Sequence, residues 1–112
     1  MLTPNNVELE LSLADLPALD GALETLDQGI LSSLHADNSL VSRGIFNSEA
    51  FRDDPRFELL FDPQTAGGLL ASVPESQAEE CIKQLRESGY PQAKAIGRVG
   101  KTAAQLPALI LK

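Results

Sequence analysis

Residues 59–73 read LLFDPQTAGGLLASV, and the apolar runs in and around this stretch decide the fold class. FELLF at 57–61 and GLLASV at 68–73 are each short, apolar and bounded by turn residues, which predicts two buried strands rather than helices. Between them Asp62 and Pro63 open a turn, and Thr65 has a hydroxyl able to bond back to nearby backbone. Gly67 and Gly68 allow backbone angles closed to other residues. Two readings of the break are open. It is a turn between strands, or its successive amides at residues 66–68 form a concave nest that admits an anion such as phosphate closely. No lysine or arginine lies inside the segment, and Arg52 and Arg56 are the nearest upstream basic residues.

Outward from this stretch, VELELSL at 7–13 alternates apolar and polar residues with a period of two, the pattern of a strand with one buried face. Leu16, Leu19, Leu23 and Leu26 then recur at helical spacing, with Pro17 near the start and Gly29 as a left-handed stop. Residues 30–56 carry scattered apolar anchors in a polar stretch. A helical turn is expected around Ser48 to Phe51, because loops this long tend to contain short helices or to be functional. From Pro74 to Gly89 a second amphipathic helix is predicted, with Ala78, Cys81, Ile82 and Leu85 on one stripe. AKAIGRV and ALILK read as closing strands. The order of elements implies an α+β fold, helices packed on a mixed or antiparallel sheet.

A chain of 112 residues fits one domain, whose folding removes roughly two-thirds of the unfolded surface from water. A hydrophobic fraction of 43% against 22% charged residues argues for a packed core and against disorder. The net charge of −7 would repel a phosphate backbone, and the few aromatic residues are not interleaved with basic ones, so nucleic acid is an improbable partner. No apolar stretch approaches the roughly 20 residues that cross a bilayer, and MLTPNNVELE lacks the basic and apolar regions of a signal peptide. The expected location is cytoplasmic. One cysteine and one histidine cannot build a structural zinc site of the usual kind.

Other candidates for chemistry weaken on inspection. Gly100, Lys101 and Thr102 match the end of a phosphate-loop pattern, but the glycine required five positions before Gly100 is Ala95, and Pro107 forbids the long helix that should follow. A strand-ending turn is the better account. His35 reads as an exposed loop histidine, Cys81 as a buried thiol on the apolar face of its helix. Asp53 and Asp54 could bind a cation but read as carboxylates facing water.

LLFDPQTAGGLLASVP, followed by a helix and then YPQAKAIGRV, resembles the C-terminal part of the selenophosphate synthetases, the selenide, water dikinases. Their typical pattern is an apolar run, D-P-Q-T-S-G-G-L-L, a strand, a helix ending in glycine and a strand ending I-G-x-V. LPALDGALETLDQGI and the later Asn38 also resemble the family upstream of that motif. Ala66 stands where serine is usual, removing a hydroxyl but keeping the backbone donors. The resemblance implies the C-terminal-domain fold of the aminoimidazole ribonucleotide synthetase superfamily. It also implies a reaction in which ATP, water and selenide, with magnesium, give selenophosphate, AMP and orthophosphate.

In that family the catalytic cysteine or selenocysteine with its lysine, and the metal-binding aspartates, lie upstream of the matched region, and none of those motifs appears here. The expectation is a C-terminal domain or fragment that is inactive alone, holds no catalytic or metal-ligating residue, and closes over the ATP site of an N-terminal catalytic domain in a parent enzyme that is a possible homodimer. Thr65, Ala66, Gly67 and Gly68 are its expected phosphate-facing loop. Asp62 and Gln64 fix the turn, and Asn38 caps the loop beside it. Two competing classes are a stand-alone module that binds a small anion without chemistry, and a structural domain whose acidic face docks another subunit.

Overall fold

The computed structural model describes residues 7–63, 67–101 and 109–112. Its centre is a three-stranded mixed sheet in the order β2-β1-β3, formed by β1 (Val7–Leu11), β2 (Gly97–Lys101) and β3 (Leu109–Leu111). β1 pairs antiparallel with β2, Leu9 opposite Val99, and parallel with β3, Leu9 opposite Leu109. The predicted strand is present over Val7–Leu11, but its burial does not alternate: Val7, Glu8, Leu9 and Glu10 are all half-buried, Leu11 at its end is buried, and Glu10 reaches Lys112 at 2.7 Å. The α+β class with a mixed sheet therefore holds.

The outer edge of β3 is closed without a further strand. Phe46 donates its amide to the Leu109 carbonyl at 2.9 Å. The Asn47 side chain then imitates a strand, donating from Nδ2 to the Leu111 carbonyl at 2.9 Å and accepting at Oδ1 from the Leu111 amide at 2.8 Å. Both backbone groups of an edge residue are thus satisfied by one side chain, which blunts the edge against pairing with another chain.

Two helices match their forecast in part. α1 (Ala22–Asp27) begins only after Gly21, whose φ of +83° no right-handed helix can continue through. The forecast helix from Leu16 is corrected on that ground, and Leu19 is left 83% exposed. Gly29 does end it, with the Ile30 amide bonded to the Thr25 carbonyl at 3.0 Å and the Gly29 amide to Leu26 at 2.9 Å, the Schellman pattern. The same pattern at Gly89 ends α4 (Ala78–Glu87), which follows a 3₁₀ turn at Glu75–Gln77. Residues 30–56 hold α2 (His35–Asn38) and 3₁₀ turns at Ser39–Gly44 and Ser48–Phe51, the last where a helical turn was expected.

The two strands predicted on either side of the central break are both overturned. Residues 55–59 form α3 (Pro55–Leu59), with Asp54 as N-cap accepting the Arg56 amide at 2.8 Å and Pro55 at the first helical position. Asp-Pro is a helix-start signal, and Phe57 and Phe61 are one helical turn apart, so both fall on the buried face. Their rings meet edge to face at 5.1 Å. Residues 68–73 form no regular element, and all of them are exposed. Among the described residues they pair with no strand of the sheet, and a strand without a partner is not stable in water.

The core gathers Leu11, Leu13, Ile45, Phe57, Phe61 and Leu111, joining the sheet's end to α3. Around it the chain is tied by main-chain bonds from Ser12 to Ile96 and from Leu13 to Lys112, and by Asp15 to Lys94 at 2.8 Å. Among the described residues no helix is long and apolar enough to cross a membrane.

Candidate functional site

α3 delivers the chain to the D-P-Q-T-A-G-G segment, and its final turn is where a helix leaves carbonyls without partners. Part of that demand is met internally, as the Phe61 amide bonds to the Glu58 carbonyl at 3.0 Å and the Asp62 amide to Leu59 at 3.4 Å. Two further contacts come from α2. Asn38 Nδ2 donates to the Phe61 carbonyl at 3.0 Å, as the expectation of a cap beside the loop requires. His35 Nε2 lies 2.9 Å from Glu58 Oε2 and 3.3 Å from the Glu58 carbonyl. A ring nitrogen facing two oxygen acceptors has to carry the proton, which sets the tautomer.

His35 is only 4% exposed and its ring meets that of Phe61 edge-on at 6.0 Å. The forecast of an exposed loop histidine is therefore corrected. It is flanked by Leu34 and Ala36 in a mostly polar stretch, and nothing there reveals that α3 folds over it. His35 and Asn38 are three residues apart, as are their acceptors Glu58 and Phe61, so one face of α2 meets one face of α3. That correspondence is visible in the sequence only once 55–59 is known to be helical.

Of the forecast phosphate-facing residues, Thr65 and Ala66 lie outside the described residues, as does Gln64. Gly67 and Gly68 are exposed, while Asp62 and Pro63 are half-buried. Among the described residues a Cβ built on Gly68 would meet nothing within 4 Å. A cleft of about 180 Å³ lies beside the start of the segment, bordered by Asn38, Val41, Leu60, Phe61 and Asp62. A larger one of about 340 Å³ opens over His35 and Glu58, with Ser39, Ser42 and Arg52 on its walls. Arg52 pairs with Glu49 at 2.6 Å.

The remaining candidates resolve into structure. Gly100 and Lys101 lie in β2, paired with Glu8 and Val7, so the phosphate-loop fragment is a strand, and Thr102 falls outside the described residues. Cys81 is half-buried rather than buried. Asp54 caps α3 and Asp53 is exposed. Among the described residues no group of three or more histidine, cysteine, aspartate or glutamate side chains is placed to hold a metal ion.

No protein-family model matches the chain. Individual proteins do. A selenide, water dikinase of Clostridioides difficile is 35% identical over 103 residues, which is 88% of this chain and 28% of that protein. A selenide, water dikinase of Pelobacter propionicus is 35% identical over 100 residues with the same coverage. One from Campylobacter jejuni is 34% identical over 97 residues, 84% of this chain and 26% of its own length. The chain thus spans little more than a quarter of the relatives it matches.

Proposed function

We propose that this chain is a C-terminal domain of a selenide, water dikinase, the enzyme to which it is 34–35% identical over the stretch that matches. In this reading it closes over a phosphate-bearing ligand, ATP or a product, that is held by an N-terminal catalytic domain in the cytoplasm. The reaction served is the making of selenophosphate, AMP and orthophosphate from ATP, selenide and water, with catalysis carried outside these residues.

The observation that carries the reading is the exposure of Gly67 and Gly68 with open space around Gly68. A glycine that the fold needs has a left-handed φ or a neighbour where its Cβ would stand. Among the described residues Gly68 has neither, so its bare backbone is open to something that approaches from outside. The amides of residues 66–68 and the Thr65 hydroxyl are the groups proposed to face phosphate, where fixed donors stabilise spread negative charge. Asp62 and Gln64 are assigned to the turn. Magnesium would neutralise part of that charge in the parent reaction. The described residues do not fit a metal site, so no step is assigned to it here.

The test is a chimera in which this chain replaces the matched segment of the C. difficile relative, assayed for selenide-dependent AMP formation. Gly68→Val is expected to lower turnover about a hundredfold or more, the size of effect seen when fixed donors are displaced from a developing charge. Its circular dichroism should be unchanged. Full activity in that variant would reduce the segment to a turn. The 112-residue chain by itself is expected to release no AMP, and selenide-dependent turnover there would overturn the assignment. Saturable binding of orthophosphate without turnover by any chimera would favour the stand-alone anion-binding module.

A further inference from the structure

We propose that His35 and Asn38 form a two-point clamp whose job is to set the direction in which the chain leaves α3 through Asp62 and Pro63, a role that rests on the phosphate-facing reading for its purpose but not for its geometry. The clamp has three parts. Asn38 holds the Phe61 carbonyl at 3.0 Å, the last carbonyl before the D-P-Q-T-A-G-G segment. His35 holds Glu58 one turn earlier by both its carboxylate, at 2.9 Å, and its carbonyl, at 3.3 Å. The buried Phe61 ring is gripped between the His35 edge and Phe57.

The physical reason for two points is that one hydrogen bond fixes a distance and leaves rotation free. Two bonds a helical turn apart fix the direction of α3 as well, and with it the direction in which Asp62 and Pro63 leave. α3 has five residues, too few to be a stable helix without tertiary support, so its final carbonyls have no strong internal ladder to orient them. A loop that must present donors to phosphate within a fraction of an ångström needs such support beneath it. A general stabilising role would not require the polar contacts to concentrate on the two residues at the loop's foot.

The deciding experiment compares ¹⁵N amide spectra of the 112-residue chain in four variants. Asn38→Asp replaces the donor by an acceptor facing a carbonyl, and Asn38→Ala serves if that variant unfolds. His35→Leu removes the second donor, whereas His35→Gln keeps a donor nitrogen within reach of Glu58 and should rescue. Asn47→Asp is the control, since it breaks an equally bonded amide at the edge of β3, away from the loop.

Displaced amides at Asp62, Gly67 and Gly68 are expected for the Asn38 variant and His35→Leu, and near-native ones for His35→Gln and Asn47→Asp. Unmoved glycine amides in the Asn38 variant, or equal movement in Asn47→Asp, would overturn the clamp. In the chimera the Asn38 variant should lower AMP formation at least tenfold, mainly through kcat, with Asn47→Asp near wild type. If Gly68→Val keeps full activity while the spectra still show the loop displaced, the phosphate reading has failed and the clamp has not.

Discussion

Asp15 shows how much one side chain is set by partners distant in sequence. Its carboxyl is held below the ordinary value of 3.8, first by a hydrogen bond from Lys94 and then by one from Ser12, with the Lys94 charge adding to both. The folded chain therefore binds that proton more weakly than the unfolded chain. The stability this carboxylate contributes is complete above 3.8 and is lost as the pH falls through the lower folded value. Asp15→Asn should lower the melting temperature at about pH 6, with the gap to wild type closing toward about pH 2. A gap independent of pH in paired calorimetric scans would show that the carboxylate charge contributes nothing. The effect should be small, as the two side chains are 44% and 43% exposed and water screens such pairs. Ser12 is near enough in sequence to be guessed as a partner of Asp15. Lys94 is not, and no pattern of types reveals it.

Among the elements, β2 separates two kinds of glycine. A Cβ on Gly97 would run into the Glu10 carbonyl across the ladder, whereas one on Gly100 would meet nothing within 4 Å. Gly97→Ala should cost about 1–3 kcal/mol, the range for forcing atoms into packed space. Gly100→Ala should be neutral or gain up to about 0.5 kcal/mol from a less flexible unfolded chain. Equal urea midpoints for the two variants would show that the β1–β2 pairing yields freely at Gly97. Element termini were the most legible feature of this sequence. Gly29 and Gly89 end their helices as forecast, because a left-handed cap depends on one residue and its immediate neighbours. The apolar runs were less legible, because FELLF is as apolar on a helix as on a strand and its arbiter was the Asp54-Pro55 start signal just upstream. GLLASV at 68–73 reads as a strand, yet a strand exists only with a partner, and among the described residues it pairs with none.

Across the whole molecule the apolar surface is divided unevenly. The core joins the sheet to α3, while Leu69 and Leu70 on the segment after the glycines stay exposed, as do Leu85 and Tyr90 around the end of α4. Leu69 is fully exposed, so Leu69→Ser should change the unfolding free energy by no more than about 0.5 kcal/mol. Phe61, at 3% exposure, should cost about 3–5 kcal/mol on truncation to alanine. A large loss in the Leu69 variant by urea titration would mean that the 68–73 run is packed in solution. The presence of β1, the glycine stops, the class of the fold and the resemblance carried by D-P-Q-T-A-G-G could all be read from residue order, because each rests on neighbours within a turn or on a contiguous string. The burial of His35, its meeting with Glu58 beside Asn38 and Phe61, and the Asn47 closure of β3 could not. They join residues 23 and 64 positions apart, and contacts of that span are chosen by how the whole chain packs rather than by any local preference.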